Sequence, residues 1–65
     1  MKEIEYSKYE MYTLNEKQLK KMKLKQKMGY LLISHDFKKY PPMILDINKI
    51  VIKKISIKQA FSLNK

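Results

Sequence analysis

The chain has 65 residues, with no Cys, one His, one Gly, and 15 basic residues against 6 acidic ones, for a formal charge of +9. That length leaves no room for a second domain, so residues 1–65 read as one small basic unit whose core buries only about 60% of the unfolded surface. Without Cys, and with a lone His, neither a disulfide framework nor a structural zinc site can support such a core, so packing or self-association as a homodimer must.

The opening residues carry Lys2, Glu3 and Glu5 with no apolar run behind them, which is not the pattern of a secretory signal. No stretch approaches the ~18 apolar residues of a membrane span. The expected address is cytoplasmic, in the producing cell or in a host cell. Ile4 and Tyr6 alternate with Glu3 and Glu5, the period of a strand.

The clearest local signal follows at Leu14-Asn15-Glu16-Lys17-Gln18-Leu19. Asn15 caps a helix, Gln18 three residues later completes a capping box, and Leu14 staples onto Leu19. The helix is predicted from Glu16 to Met28, with Gly29 in the position of a left-handed C-terminal cap. A competing pattern runs through the same residues: Met22, Leu24, Gln26 and Met28 alternate with Lys23, Lys25 and Lys27 as on a strand with one charged face. Helix is preferred, because start and stop signals are both present and no residue from Met22 to Met28 is β-branched or aromatic.

Beyond Gly29, Tyr30 to Ser34 reads as a short buried strand and His35 to Tyr40 as a polar loop. Pro41-Pro42 forces an extended connection. Met43 to Ile47 is a second strand, Asn48-Lys49 a turn, and Ile50 to Ile57 the most β-branched stretch of the chain. Its alternation slips at Lys53-Lys54, as a β-bulge would produce. The expected architecture is α+β, one helix packed on a small, mostly antiparallel sheet.

Charge dominates the functional reading. All 15 basic residues are Lys, a usage that AT-rich coding DNA favours, but AT-richness does not explain the scarcity of Asp and Glu. A field of this sign draws in nucleic acid, anionic membrane or the acidic face of a protein. On the predicted helix, Lys17, Lys20, Lys21, Lys23, Lys25 and Lys27 spread over about 200° of surface at 100° per residue. Lys49, Lys53, Lys54 and Lys58, with Lys38 and Lys39, form a second cluster that either blunts a sheet edge or binds a ligand. The lack of Arg argues against sequence-specific major-groove readout, whose commonest contact is Arg to guanine, while Lys still grips phosphate. Hence the leading expectation is a nucleic-acid-associated accessory protein that holds the phosphate backbone without sequence preference, through the six helix lysines with Lys53 and Lys54. About five phosphate contacts would give a log–log salt slope of roughly −4 to −5.

Leu24 and Met28 fall inside the lysine arc. Exposed there, they would suit the alternative: a small inhibitor or adaptor, of the type encoded by phage or mobile elements, docking on an acidic or nucleic-acid-binding groove of a larger protein. Peripheral membrane binding is the weakest reading, since the apolar residues gather on no broad face. The rings Tyr6, Tyr9, Tyr12, Tyr30, Phe37, Tyr40 and Phe61 are read mostly as core, with Tyr9, Tyr12 and Tyr40 the ones expected to be exposed. Ser34-His35-Asp36 has the residue types of a hydrolase triad, but three consecutive residues cannot converge. Asp36 and Asp46 are too isolated for a metal or acid/base pair, and there is no glycine-rich phosphate loop. No catalysis, metal or cofactor is expected.

Overall fold

The structure, a computed structural model, describes residues 6–63. A single 3₁₀ turn, Tyr6–Lys8, leads into strand β1, Tyr9–Asn15. Helix α1 (Glu16–Lys21), strands β2 (Met28–Ser34), β3 (Met43–Leu45) and β4 (Val51–Lys54), and helix α2 (Ile57–Leu63) follow. The strands form one antiparallel sheet in the order β1-β2-β3-β4. The architecture is α+β, as expected from the sequence, with a second short helix that the sequence reading did not contain.

The capping signal at Asn15 is realised in full. Its side chain accepts from the Gln18 amide, Gln18 returns a bond to the Asn15 amide, both at 2.9 Å, and Leu14 and Leu19 are both buried in the same cluster. The helix stops well before Met28, however. Lys23 takes a left-handed φ of 62°, its N–H bonds the Lys20 carbonyl, and the Leu24 N–H reaches back to the Leu19 carbonyl at 3.0 Å. This pair of bonds is a Schellman cap with Lys, instead of Gly, at the left-handed position. Leu24 supplies the accompanying apolar contact by packing against the cluster that holds Leu19. A left-handed residue with a Cβ costs ~1–2 kcal/mol, part of which glycine returns as unfolded-chain entropy. Lys23→Gly is therefore expected to raise stability by about 0.5–1 kcal/mol, seen as a melting point a few degrees higher. A lower melting point would show that the cap does not form.

Gly29 is not a cap. It lies inside β2, paired with Leu14, and its φ is not left-handed. Met28, expected to end the helix, begins this strand, and residues 24–27 form neither helix nor strand. The second predicted strand ends at Leu45 instead of Ile47 because Asp46 turns the chain. Its carboxylate accepts from the Asn48 and Ile50 amides, its carbonyl accepts from Lys49, and Lys49 is left-handed at φ 64°. Strand β4 carries the expected irregularity, placed slightly earlier: Leu45 pairs with Val51 and Ile44 with Lys53, so Ile52 is the extra residue. Ile57, predicted to end this strand, instead starts α2. Ser56 and Gln59 cap that helix reciprocally through amide–side-chain bonds. The strand expected around Ile4 lies outside the described residues, apart from Tyr6, which sits in the 3₁₀ turn.

Both helices lie on one face of the sheet. Leu14, Leu31 and Ile44 from the strands meet Leu19 from α1 and Met22 just after it, and Ile55, Ala60 and Leu63 from the α2 segment. Gln18 ties the helices together by donating to the Leu63 carbonyl at 2.7 Å. The other face holds a smaller cluster of Leu32, Met43 and Leu45 roofed by Tyr9 and Tyr30. A shortest extent of 15 Å fits one sheet plus one helix layer, not three layers.

Candidate polyanion-binding surface

Thirteen of the fifteen lysines, all but Lys2 and Lys65, fall among the described residues, together with only four carboxylates: Glu10, Glu16, Asp36 and Asp46. Three of those four carboxylates are engaged away from lysine side chains. Asp36 and Asp46 accept backbone amides in their own turns. Glu10 accepts from the Tyr12 hydroxyl and lies 3.6 Å from His35. Among the described residues, the one basic side chain within 4 Å of a carboxylate is His35, beside Glu10, so no lysine ammonium is neutralised in an ion pair.

The topology gathers many of these cations. Between Asn15 and Met28, which pair across β1 and β2, the chain makes a closed excursion over residues 16–27. It carries Lys17, Lys20, Lys21, Lys23, Lys25 and Lys27 against Glu16 alone. All six lysines are exposed. Helix α1 leaves the β1 edge and ends next to the opposite edge, where the Lys53 ammonium donates to the Met22 carbonyl at 2.9 Å. That bond joins the β4 cation to the excursion and also places a positive charge at a helix C-terminus, where the dipole favours it. Seven of the eight predicted residues are thus brought to one region. Lys54 is not: it pairs with Met43 and shares the helix-free face.

The proposed docking pair does not stay together. Leu24 is turned into the core as part of the Schellman cap, whereas Met28 is 50% exposed. Met28 has other apolar company at this end of the sheet, in Ile47 at 59% and Ile50 at 61% exposure. Met28 and Ile47, with Gln26, Lys27 and Asp46, line a shallow depression of about 300 Å³. The sequence reading assigned Ile47 and Ile50 to strands and so missed them as surface residues. Two isoleucines bracketing Asn48-Lys49, a pair of turn-forming type, were the available signal.

Of the aromatics, Tyr12 is exposed as expected, while Tyr9 and Tyr40 are half-buried and meet edge to face at 5.8 Å. Burial, and then the neighbouring Tyr40, hold the Tyr9 hydroxyl above the usual tyrosine range. The hydrogen bond to Glu10 does the same for Tyr12. Both rings therefore stay neutral at working pH and add no negative charge to repel a polyanion.

The side chains of Ser34, His35 and Asp36 go to separate partners. The buried Ser34 hydroxyl is shared between the Asp36 and Tyr40 carbonyls, His35 stands in solvent beside Glu10, and Asp36 closes its own turn. Among the described residues no group of three His, Cys, Asp or Glu side chains is placed to hold a metal ion, and no helix is long and apolar enough to cross a membrane. Comparison of the chain with protein-family models, with curated proteins and with solved structures finds no match.

Proposed function

We propose that this protein binds nucleic acid through the phosphate backbone, without sequence preference, using the lysines of the 16–27 excursion together with Lys53. The observation that carries the reading is the closed excursion itself, six exposed lysines against one glutamate with a seventh ammonium anchored at its far end. Such a surface rewards phosphates by counterion release and offers no planar Arg fork for reading base edges. Fluorescence anisotropy with labelled single- and double-stranded oligonucleotides tests it. Binding should be indifferent to sequence and lose affinity steeply with salt, at a log–log slope of roughly −4 to −5 for about five contacts. Absence of binding at low salt would end the reading.

A second reading is favoured by Met28, Ile47 and Ile50, which stand exposed together at one end of the sheet beside Lys27 and Lys49. Phosphates have no use for these side chains, but an apolar pocket on an acidic partner protein does. In the same anisotropy measurement, replacing Met28 and Ile47 by Ser leaves oligonucleotide affinity unchanged if the lysines are the site. The docking reading instead places the loss in capture of a protein partner.

A further inference from the structure

The two edges of the sheet are guarded unequally. Strand β4 has only four residues and carries the devices that keep an edge from pairing, a bulge at Ile52 and the lysines Lys53 and Lys54. Strand β1, at the other edge, has neither. It is seven residues long, keeps unbroken register with β2 from Tyr9 to Asn15, and contains no Lys and no Pro. In a chain with 15 lysines, the other strands without one are β2 and β3, and both are interior. Strand β1 therefore has the composition of an interior strand while standing at an edge. Residues 10–13 are exposed, with Met11 at 40% and Tyr12 at 41%, and α1 runs inward across the sheet toward β4. The Asn15 amide donates to the Gln18 side chain instead of to β2, and alternate residues of an antiparallel strand point their backbone groups the same way. The amides and carbonyls of Met11 and Thr13 thus face outward, and among the described residues no backbone bond from outside the sheet reaches them.

We infer that the outer edge of β1 pairs with β1 of a second copy of this chain, antiparallel about Met11, to form one continuous sheet of twice the strands. Charge selects this occupant. Two chains of +9 repel, so a symmetric contact between them must use a stretch that is not itself cationic, and the one charge on β1 is Glu10. With Met11 opposite Met11, each Glu10 stands opposite Tyr12 of the other copy, a neutral hydroxyl of the kind that already donates to this carboxylate within the chain. Thr13 faces Tyr9, and the two Met11 side chains cover each other on the helix-free side. An isologous contact of this kind satisfies the outward backbone groups of both copies at once, and it adds burial to a core that is small for lack of chain. The two-fold axis of such a pair is perpendicular to the sheet, so both helix layers, and with them both 16–27 excursions, fall on one side. The inference goes beyond the phosphate-binding reading and does not depend on it.

Sedimentation equilibrium without nucleic acid tests it, over a range of protein concentration and at low and high salt. The expected species has twice the 7.9 kDa of one chain and strengthens with salt, because screening relieves the repulsion between the two copies. Nucleic-acid binding weakens under the same change, so the two readings fail separately. Met11→Lys sets like charges face to face at the two-fold axis and is expected to weaken association on the order of tenfold or more. Val51→Lys adds the same charge at the β4 edge and should leave association close to native, with circular dichroism checking the fold of both variants. Hydrogen exchange on the native chain gives a readout that needs no variant: the Met11 and Thr13 amides should exchange more slowly as concentration rises, and exchange that ignores concentration overturns the inference. A monomer under all conditions overturns it as well. So does a dimer that survives Met11→Lys, or one lost instead on replacing Met28 and Ile47 by Ser, which would move the contact to the apolar end of the sheet.

Discussion

Gly29→Ala is expected to cost on the order of 1–3 kcal/mol or more, a large fraction of what a chain of this size has to lose. A Cβ at this position would sit 2.7 Å from the Leu45 carbonyl oxygen of β3 and 3.4 Å from a methyl group of Leu19. The methyl can rotate aside, but the oxygen belongs to the backbone of the neighbouring strand and moves only if the sheet opens between β2 and β3. Urea denaturation followed by circular dichroism should show the midpoint falling with little change in slope. An unchanged midpoint would mean that the strands are not packed as tightly as their spacing implies.

The same glycine shows where sequence reasoning succeeds and where it stops. It was read as the left-handed cap of the helix, a position that favours glycine. The reason assigned was backbone freedom at a helix end, whereas the actual reason is space between a strand and a helix. The distinction is tertiary, since nothing within a few residues of Gly29 encodes the approach of Leu45 from a segment sixteen positions later. Local signals fared better wherever both partners lie within one turn. The Asn15–Gln18 box was legible and is formed. The equivalent Ser56-Ile57-Lys58-Gln59 box was equally present in the sequence but was hidden under a run of β-branched residues that favours a strand. Strand β1 had no such signal. As an edge strand it buries only Leu14, and its two faces mix polar with apolar residues, so no alternation marks it.

The candidate surface was legible in kind and not in shape. Counting residues located the lysines, but projecting them around one long helix gave an arc that does not exist, because α1 ends at Lys21. What concentrates them is the pairing of Asn15 with Met28, a sheet contact that folds residues 16–27 into a closed loop. The split between Lys53 and Lys54 follows from strand geometry, since consecutive residues point to opposite faces. Lys53 turns to the helix layer and caps α1, while Lys54 turns to the helix-free face. The bulge at Ile52 shifts the register, and with it decides which of the two lysines reaches α1.

Lys21→Gln combined with Lys23→Gln is expected to lower nucleic-acid affinity at 0.1 M salt by about 50-fold and to make the salt slope shallower by about two. Every phosphate that a lysine neutralises adds about 0.9 to the slope on B-DNA, and the affinity deficit of the variant grows by the same amount for every tenfold fall in salt below 1 M. The matched control is Lys38→Gln with Lys58→Gln, which removes the same two charges from the β2–β3 loop and from α2. If net charge alone attracted the polymer, both pairs would lose affinity equally, since each takes the formal +9 to +7. If the closed excursion is the contact surface, only the first pair changes the slope. The control pair then produces only the small decrement expected of exposed charges that touch no phosphate and are screened by salt. The loss at Lys21 also removes a favourable charge from the last turn of α1, worth about 0.3–1 kcal/mol of stability. Melting curves on both pairs must accompany the binding data. Equal slopes for the two pairs, with both folded, would return the lysines to the status of an unlocalised charge and remove the excursion from the binding surface.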